Sequence, residues 1–250
     1  MGMAAPAYAQ APVMCTAPAE IVRLDHPLAR FAKKLIVGEP IVIVAIGSSS
    51  TAGAGASSPT TSYPSRLEVE LKARFPNRSI KVLNRGINGE DAREMLARFD
   101  QSVIAESPDL VLWQVGTNAL LLDRLLFPAG ERIREGLNRL KEAGIDVVLI
   151  DPQFAPKVLA KADIEKLMRL YSVIAKQANV GVFHRFAVMR HWRETANISF
   201  RVFLSQDELH MNDWSYACVA KLLAGSLAEA ATRVNVTKCR GDIIGNNSCL

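Results

Sequence analysis

The sequence predicts an α/β fold in which a parallel sheet is covered by helices on both faces. Short apolar runs typical of buried strands lie at 41–46, 80–83, 109–115, 146–150 and 180–183. Segments with helical apolar spacing lie between these runs, and this alternation indicates right-handed crossovers between parallel strands. The runs at 41–46 and 109–115 are expected to be central, because parallel strands buried on both faces are almost continuously apolar.

Helical periodicity fills the intervals between the runs. A short helix is expected from Asp25 to Leu35, and Pro64 suits the first turn of the next helix. Gly144 follows a later helix in the position of a C-cap. A last helix is expected from Asp213 to Ala231. The apolar faces of the helices after Pro64 are Leu67, Leu71 and Phe75; Met95, Phe99 and Val103; Ile133, Leu137 and Leu140; and Ala217, Ala220, Leu223 and Leu227.

Length and composition indicate one globular domain, with 250 residues of which 49% are hydrophobic and 22% charged. We expect the domain over residues 23–233, a disordered segment over 1–22 and a polar tail over 234–250. The net charge of +5 comes from scattered basic residues, which does not indicate nucleic-acid binding. The sequence contains no run of about 20 apolar residues, so no transmembrane helix is predicted.

The first residues include Ala7-Tyr8-Ala9, which resembles a signal-peptidase site. No charged region or apolar core precedes it, as a whole signal peptide would require. The segment is interpreted either as the remnant of an export signal or as a disordered start. It favours a periplasmic or secreted protein and leaves a cytoplasmic location open.

The four cysteines show no Cys-x-x-Cys spacing, which argues against a zinc site. Cys239 and Cys249 lie close together in the polar tail and are candidates for a disulfide. Cys218 falls in an apolar helix and is expected to be a buried thiol.

Four polar segments are expected to meet at one edge of the sheet. Gly47–Thr51 follows the first strand, Asn88-Gly89 the second and Gly116–Asn118 the third, while Asp207–His210 precedes the last helix. The carboxyl ends of parallel strands share an edge, and ligands of α/β folds bind there. Segments far apart in sequence are therefore expected to form one site.

The residue types in these segments suit acyl transfer. Ser49 is the candidate nucleophile, His210 the base that takes its proton, and Asp207 the group that orients the imidazole. The backbone N–H groups of Ser49 and Gly89 and the side-chain amide of Asn118 are candidates for an oxyanion hole.

In these positions the chain resembles the SGNH (GDSL-type) hydrolase family over about residues 40–232. The matching blocks are Gly47-Ser48-Ser49, Gly89, Gly116-Thr117-Asn118-Ala119 and Asp207-x-x-His210. The resemblance implies a flavodoxin-like, three-layer α/β/α fold with a five-stranded parallel sheet. It also implies ester hydrolysis by serine and histidine, with glycine and asparagine completing the oxyanion hole.

Two residues depart from the family pattern. Ser48 stands where the family has Asp before the nucleophile, and Ala119 stands where it has Asp after the oxyanion asparagine. Neither lost carboxylate belongs to the triad. The departures therefore leave activity expected and bear on loop geometry, rate and substrate choice.

Each site residue also has a structural interpretation. Ser49 lies in a stretch rich in small residues, 47–62, that is consistent with a flexible loop. Asp207 alone is consistent with a helix start, and Asn118 alone with a turn. The remaining histidines have no acidic partner at motif spacing and are interpreted as structural: His26, His184 and His191.

Other site types fit less well. Asp151 and Gln153 follow the fourth strand and are candidates for a substrate pocket, although a simple turn is an equal interpretation. Gly53-Ala54-Gly55 lacks the third glycine of a dinucleotide loop, since Ser58 stands there. No group of residues has metal-ligand spacing.

These observations predict a serine esterase that needs neither metal nor cofactor. The expected substrate is a small-molecule ester with a short, acetyl-type acyl group on a carbohydrate or another small alcohol. Transfer of the acyl group to an alcohol instead of water stays open. The absence of a long apolar lid segment argues against long-chain lipids. The alternative is a related module that binds an ester or sugar without cleaving it.

Overall fold

The computed structural model describes residues 14–234. Its sheet has five strands, named here β1 Ile41–Gly47, β2 Ile80–Gly86, β3 Leu110–Gln114, β4 Asp146–Ile150 and β5 Gly181–Phe183. The strands lie in the order β2-β1-β3-β4-β5, and every pairing is parallel. The predicted α/β class and the five-stranded parallel sheet are confirmed.

Helices connect the strands and flank the sheet in two groups. In one group α13 (Asp213–Thr232) packs against α2 (Ala29–Val37) and α4 (Tyr63–Arg74), and in the other α8 (Leu126–Glu142) packs against α5 (Ala92–Ala97) and α10 (Ile164–Ala178). No helix within residues 14–234 is both long and apolar enough to cross a bilayer. The α-helices are α1 Ala19–Val22, α2 Ala29–Val37, α3 Ser49–Ala52, α4 Tyr63–Arg74, α5 Ala92–Ala97, α6 Phe99–Ser102, α7 Thr117–Leu121, α8 Leu126–Glu142, α9 Pro156–Leu159, α10 Ile164–Ala178, α11 Arg185–Arg190, α12 Phe200–Phe203 and α13 Asp213–Thr232.

The burial of each strand follows from its place in the sheet. All of β3 is buried, and so is β1 apart from Val42, because both have a strand on either side. In β2, at the edge, only Ile80 is fully buried and Lys81 is exposed. The expectation that β1 and β3 are central is confirmed. Their carboxyl ends hold Ser49 and Asn118 in fixed relation.

The helix before β1 lies further along the chain than its pattern predicts. It was expected over 25–35, whereas α2 spans Ala29–Val37. The start is delayed because a residue preceding proline, here His26 before Pro27, disfavours the helical conformation. The helix ends at Gly38, whose φ of 79° lies in the left-handed region that glycine tolerates.

The segment 1–22, expected to be disordered, is packed on the domain from residue 14 onward. Trp192 Nε1 donates a hydrogen bond to the Thr16 carbonyl at 2.9 Å, and Ser226 Oγ donates to the Val22 carbonyl at 2.6 Å. These partners lie 176 and 204 residues away, and local composition carries no signal for such contacts. Residues ahead of the boundary predicted at residue 23 thus contact the domain.

A disulfide joins Cys15 to Cys218. The prediction that Cys218 is a buried thiol is therefore wrong about its chemistry, although its burial is confirmed. The bond pairs residues 203 positions apart, which spacing along the chain does not indicate. Cys239 and Cys249 lie outside the described residues, as does the polar tail from residue 235.

Candidate active site

The turn after β1 brings Ser49 to the carboxyl edge of the sheet. Ser49 is the first residue of α3 and is half-buried. A Cβ on Gly47 would lie 2.2 Å from Thr51 Oγ1, and one on Gly86 would lie 2.2 Å from the Ala52 nitrogen. Only glycine at these two positions lets the turn lie this close to β1 and β2. The position of Ser49 is therefore set by close backbone packing.

His210 joins Ser49 to Asp207 through its two ring nitrogens. Nε2 lies 2.8 Å from Ser49 Oγ, and Nδ1 lies 2.5 Å from Asp207 Oδ2. A carboxylate accepts the proton on Nδ1, which leaves the Nε2 lone pair facing the serine hydroxyl. The structure thus brings together three candidate residues, of which Ser49 and His210 are 161 positions apart.

The loop over residues 205–211, here called the histidine loop, carries His210 and is held by the carboxylate of Asp207. Asp207 Oδ1 accepts hydrogen bonds from Ser205 Oγ at 2.6 Å and from the backbone nitrogens of Leu209 and His210 at 3.0 and 2.9 Å. Partial burial acts to raise the pKa of Asp207, but these donors and the His210 ring outweigh it and hold the pKa well below its usual range. Asp207 is therefore ionised near neutral pH.

The stretch 47–62 is packed against the histidine loop, so the interpretation of a flexible loop does not hold. Gly55 has a φ of 86°, and a Cβ there would lie 2.3 Å from the Met211 carbonyl oxygen and 3.0 Å from His210 Cβ. The Ser57 nitrogen and Oγ donate to the two Asp213 carboxylate oxygens at 2.8 and 2.5 Å. These contacts fix the serine side of the site to the histidine side.

The three candidate oxyanion donors come from three successive strand ends. Gly89 follows β2 with a φ of 82°, and a Cβ there would meet open space. Asn118 Nδ2 donates to the Glu90 carbonyl at 2.8 Å, which orients the amide and leaves its second hydrogen available. Within residues 14–234, no protein group accepts a hydrogen bond from the backbone nitrogen of Ser49 or Gly89.

Ion pairs hold the Gly89 loop in place. The Glu90 carboxylate pairs with Arg98 at 2.6 Å, and the same guanidinium donates to the Arg85 carbonyl at 2.8 Å. Asp91 pairs with Arg124, which lies just beyond α7, and so links the second and third strand ends.

Arg98 has non-helical backbone angles and separates α5 from α6. The apolar face expected for one helix is therefore divided between two.

Asp151 is fully buried at the end of β4. Its Oδ1 accepts from the Phe186 nitrogen at 2.8 Å, and its Oδ2 lies 3.2 Å from His184 Nδ1. His184 therefore has a carboxylate partner, 33 residues away, that motif spacing did not indicate. Asp151 holds the start of α11 against the sheet and has no exposed surface for a ligand.

Gln153 is buried behind the histidine loop, with 1% of its surface exposed. Its Oε1 accepts from the fully buried Arg185 at 3.0 Å, and its Nε2 donates to the Leu209 carbonyl at 3.3 Å. Gln153 and Asp151, predicted to line a substrate pocket, instead have buried protein partners in this structure. The reason is that α11 and the histidine loop cover the residues that follow β4.

Sequence reasoning missed Gln114, the last residue of β3. Its side chain is buried and contacts the turn Gly47–Thr51 that carries Ser49, here called the serine turn. The available signal was a polar residue at the end of an otherwise apolar strand. Within residues 14–234, no three histidine, cysteine, aspartate or glutamate side chains are grouped as metal ligands.

The sheet order and the Ser–His–Asp chain at its carboxyl edge define the SGNH-type esterase fold. The chain belongs to the non-GDSL lipase-like family, whose model matches residues 14–233. In keeping with that description, its first block reads Gly-Ser-Ser rather than Gly-Asp-Ser.

Solved structures share this fold. A two-domain esterase, CEX, active on acetylated mannans, is 22% identical with a TM-score of 0.70 over 84% of this chain and 55% of that one. The present chain therefore spans about half of that protein. A variant of Axe2, an acetyl-xylooligosaccharide esterase from Geobacillus stearothermophilus, is 20% identical with a TM-score of 0.65 over 76% and 95% of the two chains. TesA is 18% identical with a TM-score of 0.64 over 76% and 99%.

A shorter sequence match points to the same group. An acetylxylan esterase from Geobacillus stearothermophilus is 38% identical over 58 residues, which are 23% of this chain and 26% of that protein. Over that stretch the chain is similar to an acetyl esterase. The structural likenesses lie below 25% identity and establish the fold alone.

Proposed function

We propose that the protein is a metal-independent serine esterase that removes short acyl groups, of the acetyl type, from carbohydrate esters. The observation that carries this proposal is the continuous hydrogen-bonded chain Ser49–His210–Asp207, with Nε2 at 2.8 Å from the serine hydroxyl. A nucleophile, a base and an orienting carboxylate in one line are the parts that acyl transfer requires.

Acylation begins when Ser49 Oγ attacks the ester carbonyl carbon while its proton passes to His210 Nε2. The negative charge that develops on the carbonyl oxygen is met by the N–H groups of Ser49 and Gly89 and by the Asn118 amide. The C–O bond to the alcohol then breaks, and His210 returns the proton to the leaving oxygen. Asp207 stabilises the imidazolium throughout.

Deacylation repeats these steps with water. His210 takes a proton from the water molecule as its oxygen attacks the acyl carbon of acyl-Ser49. Collapse of the second tetrahedral intermediate releases the acid, and the proton returns to Ser49 Oγ. The net reaction converts one ester and one water to one acid and one alcohol.

The descriptions of the relatives support the proposed substrate class. CEX is described as active on acetylated mannans, and Axe2 as an acetyl-xylooligosaccharide esterase. Two Axe2 variants, one with a serine and one with a histidine changed to alanine, are described as catalytic mutants. These descriptions support an acetylated sugar as the substrate and the same two residue types as its catalytic groups.

The test is acetate release from acetylated xylo- and manno-oligosaccharides, together with p-nitrophenyl esters of increasing acyl length. Wild-type protein should turn over the acetyl esters fastest. Ser49→Ala should lose about 10⁴- to 10⁶-fold in rate, whereas Ser65→Ala, a serine in α4, should match wild type. EDTA should leave the rate unchanged.

A folded wild-type protein that binds these sugars without releasing acetate would identify the non-hydrolytic module instead. Strong inhibition by EDTA that zinc reverses would contradict the serine mechanism.

A further inference from the structure

Gln114 accepts several hydrogen bonds from the serine turn through one oxygen atom. Its side chain ends β3 and is 1% exposed. Oε1 lies 3.0 Å from the Ser48 nitrogen, 3.0 Å from Ser48 Oγ and 3.2 Å from Thr51 Oγ1. The bonds span 63 to 66 residues of sequence and cross from β3 to the turn after β1.

The orientation of this amide follows from its partners. A backbone N–H can only donate, so the atom facing the Ser48 nitrogen must be the amide oxygen. The hydroxyls of Ser48 and Thr51 can then both donate to that same oxygen. Gln114 therefore binds the turn on both sides of Ser49, through Ser48 one residue before it and Thr51 two residues after it.

These hydrogen bonds fix the position of Ser49 relative to the rest of the site. Asn118 lies four residues beyond Gln114 on the same chain segment. The amide of Gln114 thus ties the nucleophile and the Ser49 N–H to the strand end that presents Asn118. A shift of the turn would move Ser49 relative to both His210 and the oxyanion donors.

We propose that Gln114 is a positioning residue for Ser49, with Ser48 as its matched partner. The inference rests on the proposed function, because it assigns a role in presenting the Ser49 nucleophile. Gln114 touches no reacting atom and transfers no proton. Its contribution is to hold Ser49 Oγ in the geometry in which attack and proton transfer are productive.

The pairing also explains why serine at position 48 suits this chain. An aspartate there would place carboxylate oxygens against Gln114 Oε1, and two acceptors cannot share a hydrogen bond. To avoid this repulsion, the amide would have to turn its NH₂ toward the carboxylate. The backbone nitrogen of residue 48 would then lose its acceptor. A buried N–H without an acceptor is costly, so aspartate and this glutamine orientation exclude each other.

The experiment compares Gln114→Met with Gln114→Glu. Methionine keeps the approximate size and removes the acceptor, whereas glutamate retains an acceptor oxygen in either protonation state. Gln114→Met should lower kcat and the rate of Ser49 labelling by a fluorophosphonate about 10- to 100-fold, with KM changed less than about threefold. Gln114→Glu should recover most of both rates.

Tyr63→Phe is the matched control for destabilisation. The Tyr63 hydroxyl lies 3.3 Å from Thr51 Oγ1, so its loss weakens the same buried cluster without removing the bonds to Ser48. This variant should unfold at a lower temperature with kcat unchanged. Ser48→Ala, which retains the backbone bond to Gln114, should lose about 2- to 10-fold in kcat, the worth of one neutral hydrogen bond.

Ser48→Ala also decides the matter if Gln114→Met fails to fold. The positioning role alone would be overturned by a wild-type kcat in folded Gln114→Met, or by a loss in Gln114→Met that glutamate does not rescue. If Gln114→Met fails to fold, a wild-type kcat in Ser48→Ala would overturn it. A wild-type protein that neither releases acetate nor labels at Ser49 would overturn the proposed function and this role with it.

Discussion

Two histidine–aspartate pairs lie at the carboxyl edge of the sheet, and only one is joined to a serine. His210 Nδ1 lies 2.5 Å from Asp207 and His184 Nδ1 lies 3.2 Å from Asp151. The other nitrogen of His210 meets Ser49 Oγ at 2.8 Å. Within residues 14–234, no comparable hydroxyl contacts the His184 ring.

The two carboxylates also differ in their surroundings. Asp151 is fully buried and holds α11 to the sheet through the Phe186 nitrogen, whereas the Asp207 side chain is 42% exposed and holds only its own loop. A histidine–aspartate pair is thus not in itself a catalytic device. The serine in contact with the second ring nitrogen decides the role, and each residue of one pair has a matched residue in the other.

The largest expected difference separates the two histidines. His210→Ala should lower kcat about 10⁵- to 10⁶-fold, because Ser49 loses its base. His184→Ala should lower the unfolding temperature and leave kcat close to wild type. Steady-state kinetics with acetyl esters and thermal unfolding measure both. Comparable losses of kcat in the two variants would remove the distinction.

The aspartates should differ next. Asp207→Asn should lower kcat about 10⁴-fold while the protein stays folded, because an amide no longer favours the imidazole tautomer with its proton on Nδ1. Asp151→Asn should instead cost about 1–3 kcal/mol of unfolding free energy, the range for disturbing a buried hydrogen-bonded group. Urea unfolding and kcat are measured on both variants. A thermally destabilised, fully active Asp207→Asn would show that its role is structural.

A smaller effect isolates the oxyanion hole from both pairs. Asn118→Ala should lower kcat about 10²- to 10³-fold with little change in KM, since its amide meets charge only as it develops in the transition state. The pH at which activity falls in acid should not move. Should kcat stay at the wild-type value, Gly89 and Ser49 would have to stabilise the oxyanion alone.

The smallest effects appear in the pH dependence of stability, where the pairs act with opposite signs. The hydrogen bond to Asp151 raises the pKa of His184, so its stabilisation is complete in acid and is lost as the pH rises through that raised value. Burial acts to raise the pKa of Asp207, but its hydrogen bonds outweigh burial and lower the pKa overall. The stabilisation from Asp207 is therefore present near neutral pH and is lost in acid.

Urea unfolding across a pH series checks this contrast. His184→Ala should flatten the decline on the alkaline side of the histidine range, and Asp207→Asn should flatten the decline in acid. The reverse assignment of the two slopes would contradict the contacts described for the pairs.

The parts of the fold and site that the sequence predicted are those with a local signal. Continuous apolar runs identified β1 and β3, and the Asp207-x-x-His210 motif identified a loop that is held by its own carboxylate. The contacts that sequence reasoning missed join distant segments. Gln114 lies 66 residues from Ser48, and Cys15 lies 203 residues from Cys218. No local sequence pattern predicts such contacts.

The same reason accounts for the errors at β4. Asp151 follows a strand at the active edge, and that position alone suggested a pocket. Its burial depends on how α11 and the histidine loop pack over the strand end, which is a property of the assembled fold.

The most direct test of the central claim is mass spectrometry of protein treated with a fluorophosphonate. We expect one added phosphonyl group on the peptide that contains Ser49, at wild-type rate in His184→Ala and at a greatly reduced rate in His210→Ala. Modification of another residue, or equal labelling of Ser49 in both variants, would contradict a nucleophile activated by His210.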